Sequence, residues 1–170
     1  MDANWECRLA ALWGQLDALV APDFTGRMDT LAAELPAAHQ AVGLFERASA
    51  RDSTGQTPLA VPLYRAALQL GLSGLRRRRA TIQLASSLRA LGDAAQATEL
   101  LSQELLAPSD ELDSAVRGFL ALALADLGRE REALALSLEA LAGHLPRDNQ
   151  SLARYARGLA ASTTLPGKPT

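Results

Sequence analysis

Apolar positions recur every three or four residues along most of this chain, and the polar breaks between such runs divide it into helix-sized pieces. Trp5, Leu9, Leu12, Trp13, Leu16 and Leu19 to Val20 predict an amphipathic helix that Pro22 ends. A second helix capped by Asp23 or Thr25 would carry Met28, Leu31 and Leu35 and stop before Pro36. Helices are then expected over 37–53, 58–70, 75–91, 94–106, 110–127, 129–142 and 149–161. Thr57, Asp93 and Ser109 are the expected caps, and Pro58 and Pro62 lie close enough to a helix start to be tolerated.

The pattern also repeats at long range. Gly55, Gly92 and Gly128 stand between paired segments at intervals of 37 and 36 residues. Around the second the chain reads LASSLRALGDAAQATELL and around the third FLALALADLGREREALALSL, so Leu91-Gly92 matches Leu127-Gly128 and Ala97 matches Ala133, while Ala60 keeps the same offset after Gly55. A period of roughly 20 to 50 residues built of helix pairs marks a solenoid, in which each unit buries its apolar side by stacking on the next. The predicted organisation is a helical pair over 1–36 packed on the repeats, three repeats over about 37–72, 75–108 and 110–146, a capping helix over 147–161, and a disordered tail over 162–170.

Composition supports helix and narrows function. Of the residues, 48% are hydrophobic, yet aromatics are only 4%, and alanine and leucine dominate, which favours closely approaching helices over sheet. A balance of 17 basic against 19 acidic residues, net -2, argues against a basic nucleic-acid binder. No apolar stretch approaches the roughly 20 residues that span a bilayer, and the acidic opening lacks the basic start of a signal peptide. With one cysteine, Cys7, no internal disulfide forms, and the expectation is a cytoplasmic protein with a reduced, partly buried thiol.

The small residue in each first helix, the turn glycine, the alanine five later and the bulky residue beyond it resemble the tetratricopeptide repeat. The match rests on Leu44, Ala48, Gly55, Ala60, Tyr64 and Ala67, then on Leu84, Ala85, Leu88, Gly92, Ala97 and Leu101, then on Leu120, Ala121, Leu124, Gly128, Ala133 and Ala140. Arg51 and Leu88 stand at the signature's aromatic positions, Ser137 replaces a bulky residue and Glu104 a small one. The wording is similar to the bacterial group-5 tetratricopeptide repeat domain. That resemblance implies an all-α chain, a right-handed α-solenoid of helical hairpins with N-terminal helices and a C-terminal capping helix. It further implies a scaffold for protein–protein contact, open to dimerisation, without an enzymatic reaction or a cofactor.

The geometry implied by the resemblance puts Phe45, Ser49, Asp52, Arg79, Ile82, Ser86, Arg89, Leu122 and Asp126 in a concave groove. Arg79 and Arg89 would read a carboxylate, which points to an acidic peptide or protein partner. Two other readings stand beside it: a sensor or enzyme that binds a small anionic ligand between the same arginines, and internal pairing of those arginines with Asp52 or Asp126. The run Arg76 to Arg79 cannot face one way, since successive helical positions turn by about 100°, so some of it should meet acids. No aromatic residues interleave with it, so base stacking is poorly served and no nucleic acid is expected as a partner. His39 and His144 lack ligand-spaced companions, so no metal site is expected. Trp5, Leu9 and Trp13 share a face that either packs the first helix onto the repeats or joins two copies in a homodimer.

Overall fold

The computed structural model describes residues 2–161, and every regular element among them is helical. The tail expected over 162–170 lies outside the described residues. The helices are α1 (Ala3–Trp13), α2 (Ala21–Ala33), α3 (Gln40–Ser53), α4 (Thr57–Gln69), α5 (Gly74–Ala90), α6 (Ala94–Glu104), α7 (Asp113–Asp126), α8 (Glu130–Ala142) and α9 (Asn149–Ala161), with single 3-10 turns at Leu16–Ala18 and Ala37–His39. None is long and apolar enough to cross a membrane. The chain forms two compact units divided between Leu91 and Gly92, at the turn of the second expected hairpin.

In the first unit each helix packs on the next, α1 on α2, α2 on α3, α3 on α4 and α4 on α5, with α3 also meeting α5. Trp5, Leu9 and Leu12 of α1 enclose a core with Phe24, Met28 and Leu31 of α2 and Ala50 of α3. The turn from α3 to α4 shows why a glycine stands there. Gln56 N donates to the Arg51 carbonyl at 2.8 Å and Gly55 N to that of Asp52 at 3.1 Å, which closes the helix end with Gly55 at φ +77°, a conformation that costs glycine little. Gly128 repeats it in the second unit at φ +72°, with Arg129 N donating to the Leu124 carbonyl at 2.9 Å.

In the second unit α6 packs on α7, α7 on α8 and α8 on α9. The helix expected to cap the array is present as α9, lying on α8 with Ala156 buried and Leu152 and Leu159 half-buried. Across both units most of the positions that carried the repeat pattern are taken from water, while Leu44 and Ala140 are half-buried and the turn glycines exposed. Ala48, Ala60, Tyr64, Ala67, Leu84, Ala85, Leu88, Ala97, Leu101, Leu120, Ala121, Leu124 and Ala133 are all buried. Alanine at these sites lets helix backbones approach closely, and leucine or tyrosine fills the space beyond.

Several boundaries differ from the sequence expectation for local reasons. The first helix ends at Trp13, because Gly14 follows and polar Gln15 and Asp17 interrupt the apolar stripe; Leu16 and Leu19 still reach the core from the irregular segment. Pro22 opens α2 instead of ending α1, since a first-turn amide has no intrahelical acceptor to lose. Thr25, inside that helix, donates its hydroxyl to the Ala21 carbonyl at 3.0 Å. Thr57 begins α4 without capping it and gives its hydroxyl to Asp52 at 3.3 Å, while α4 continues through Pro62. Asp93 caps α6 as expected, accepting from Gln96 N at 3.0 Å. Before α7, Ser109 and Asp110 turn the chain by bonding Asp113, so the helix starts later than residue 110.

Candidate interaction surfaces

The groove positions fall on three helices. Ser49 and Asp52 of α3 and Ser86 and Arg89 of α5 are partly buried, and Arg79 of α5 is exposed, all in the first unit. Leu122 and Asp126 lie exposed on α7 of the second unit. Phe45 and Ile82 do not line a surface: they are 7% and 3% exposed. Phe45 faces inward, its ring 6.3 Å from that of Tyr64, because the large side chains of α3 fill the space between α3 and α4.

Hydroxyls and one carboxylate join the polar positions of the first unit. Asp52 accepts from Ser87 Oγ at 3.1 Å and from Thr57 Oγ1 at 3.3 Å, so it links α3 to both α5 and α4. Burial raises the Asp52 carboxyl above the usual range, although both hydroxyls oppose the shift. Tyr64 is fully buried and donates its hydroxyl to Ser49 Oγ at 3.3 Å, which gives the phenol a partner inside the hairpin. Arg79 and Arg89 both take part in polar or electrostatic interactions, as do Asp126, Arg77 and Arg78.

The arginine run divides as helix geometry demands, with Arg78 buried, Arg76 and Arg77 partly buried and Arg79 exposed. Arg76 meets acids from two other helices. Its Nη2 lies 2.7 Å from Glu6 Oε2 of α1 and its Nε 3.2 Å from Glu46 Oε1 of α3. Glu46 is only 4% exposed, and its second oxygen accepts from the Trp13 indole at 3.0 Å. Burial pushes the Glu46 carboxyl up, against the pull of Trp13 and Arg76. This buried acid escaped the sequence reading, yet a signal was present: Glu46 lies four residues from both Val42 and Ala50 and next to Phe45, within an apolar stripe where an acid demands partners.

The N-terminal face resolves toward packing. Trp5 and Leu9 are buried and Trp13 partly buried, with the Trp5 indole donating to the Leu31 carbonyl at 2.9 Å and the Trp13 ring 5.3 Å from Phe24. A second copy cannot reach Trp5 and Leu9 without opening the core between α1 and α2. Cys7, expected to be partly buried, is exposed on the opposite side of α1. His39 sits at the start of α3, and His144 lies 3.2 Å from Ser114 Oγ. Among the described residues no group of three His, Cys, Asp or Glu side chains is placed to hold a metal ion.

Helical hairpins closed by glycine turns, with small residues at the helix contacts, define a helical-repeat scaffold. A family model described as "Tetratrico peptide repeat" matches residues 41–159, well over half of the chain. The chain belongs to the tetratricopeptide repeat family, whose members are protein–protein interaction modules. No curated protein and no solved structure matches it.

Proposed function

We propose that this protein is a non-enzymatic adaptor that recognises an acidic segment of a protein partner through Ser49 and Asp52 of α3 and Arg79, Ser86 and Arg89 of α5. One observation carries the reading: α3 and α5 bury their repeat positions Ala48, Leu84, Ala85 and Leu88 for packing and leave polar side chains at these five positions at least partly open to solvent. Guanidinium groups on a rigid helix suit carboxylates, which they bind through paired hydrogen bonds. Asp52 sets polarity within the face, since its negative charge disfavours an acid at that end and places the partner's acids nearer Arg79.

An array of acidic, neutral and basic peptides tests the reading. Acidic sequences are expected to bind, with a loss of about tenfold or more on Arg79→Glu and a gain on Asp52→Asn. Binding that ignores peptide charge, or that survives Arg79→Glu and Arg89→Glu together, would overturn it. Saturable binding of a small polyanion with no acidic peptide bound would replace the protein partner by a small ligand.

A further inference from the structure

The structure holds a second feature, away from those five positions. Asp29 of α2 is gripped by two arginines of α3: Arg51 reaches both of its oxygens, Nη2 to Oδ2 at 2.7 Å and Nη1 to Oδ1 at 3.0 Å, and Arg47 Nε reaches Oδ1 at 2.8 Å. These arginines hold the Asp29 carboxyl below its usual range despite its partial burial. One carboxylate therefore faces two guanidinium groups, which leaves a positive charge in excess.

The excess is carried at the edge of Arg47. Its Nε is committed to Asp29, while its two terminal nitrogens have no hydrogen-bond partner among the described residues. Anchoring through Nε restrains the group, so part of the side-chain entropy of a binding guanidinium is already lost before any ligand arrives. Arg47 borders a cleft of about 430 Å³ between α2 and the start of α3. Asp29 lines the cleft as well, neutralised there by Arg51 and Arg47, and the rest of the wall is Ala32, Ala33, Leu35, Ala37, Gly43 and Leu44 beside the amide of Gln40. A cleft of that size that combines small apolar side chains with a few polar groups fits a small-ligand site.

We propose that this cleft binds a carboxylate carried on a small branched apolar body. The carboxylate would pair with the terminal nitrogens of Arg47, and the body would lie on Ala32, Ala33 and Leu44. Both a free aliphatic acid and the last residue of a peptide present that chemistry. The site is separate from the proposed adaptor surface, so failure of either leaves the other standing.

The test is methyl and amide NMR titration of the whole chain with three probes: 4-methylpentanoate, an N-acetylated tripeptide ending in a free leucine carboxylate, and the same tripeptide as its amide. The expected result is saturable shifts at Ala32, Ala33 and Leu44 with at least one carboxylate probe and none with the amide. Arg47→Gln, which keeps the two-point Asp29–Arg51 contact, is expected to weaken the binding by about tenfold or more, and Arg47→Lys by less. Arg27→Gln, elsewhere on α2, serves as the unaffected control. Shifts from the free acid alone assign a metabolite-sized ligand, and shifts from the tripeptide acid assign a chain terminus. No saturable shift up to roughly 10 mM of any probe, equal binding of the amide, or binding unchanged by a folded Arg47→Gln variant would each overturn the proposal.

Discussion

The two units hold helical hairpins together by different means. The unit up to Leu91 buries Trp5, Phe24, Phe45 and Tyr64, and each polar handle among them has a named acceptor: the Trp5 indole bonds the Leu31 carbonyl and the Tyr64 hydroxyl bonds Ser49. It also carries a charge inside, with Glu46 held by Trp13 and Arg76. In the unit from Gly92 the buried apolar side chains among the described residues are alanines, leucines and Val116. Large side chains with polar ends fix one helix against another at specific points, because only one arrangement satisfies both shape and hydrogen bonding. Alanine surfaces rely on close backbone approach and have little room for anything larger.

That contrast can be broken or sharpened by mutation. The largest effect is expected from Phe24→Ala, which empties a fully buried ring position and should cost about 3–5 kcal/mol, read by denaturant unfolding together with hydrogen exchange across α1 to α3. A loss under about 1 kcal/mol would mean that the aromatic core tolerates gaps as an oil would. Next is Ala121→Leu in α7, where three added carbons meet a buried helix contact and should cost roughly 1–3 kcal/mol, with exchange rising in α7 and α8. If it is neutral, close packing does not hold the second unit.

Glu46→Ala should cost about 2 kcal/mol, since it strands the Trp13 indole and leaves Arg76 with Glu6 alone. Glu46→Gln separates charge from hydrogen bonding. Burial raises the folded carboxyl, so the stability Glu46 contributes is complete below its unfolded value and is lost as pH rises through the raised folded value. The glutamine variant should therefore gain on the wild type as pH climbs through that interval, which unfolding curves across pH will show.

Asp29 has the opposite sign. Its folded carboxyl is lowered, so its contribution is present above the unfolded value and disappears as pH falls through the folded one. Asp29→Asn should flatten the acid limb of the stability curve by about 1 kcal/mol, a figure reduced for its partial exposure. The smallest effect belongs to Arg129→Ala on the exposed pair with Glu132, roughly 0.3 kcal/mol. A larger loss there would show that the second unit, too, depends on a specific polar contact.

The helices and their turns were readable in advance wherever the cause was local. Asp93 capping α6 and the glycines at the hairpin turns follow from backbone geometry that a few residues dictate. Boundaries failed where two local signals competed: apolar spacing carried the first helix on to Val20, while Gly14 and the polar residues after it stopped the helix at Trp13. Of the surface positions, Phe45 and Ile82 were misplaced because a generic repeat geometry does not record which face this chain fills with large side chains. Arg51 shows the same limit from the other side, since it stands at an aromatic position of the repeat signature and serves instead to hold Asp29.

Sequence alone determined the all-helical class, the hairpin period and the small residues at helix contacts, because periodic burial and turn chemistry act over a few residues and leave their mark in the order of residue types. The tertiary structure decided which charges meet. Arg76 finds Glu6 across 70 residues, and Arg51 finds Asp29 across 22. Such pairs require α1, α2, α3 and α5 to lie together, and a charge several helices away leaves no periodic trace in the chain.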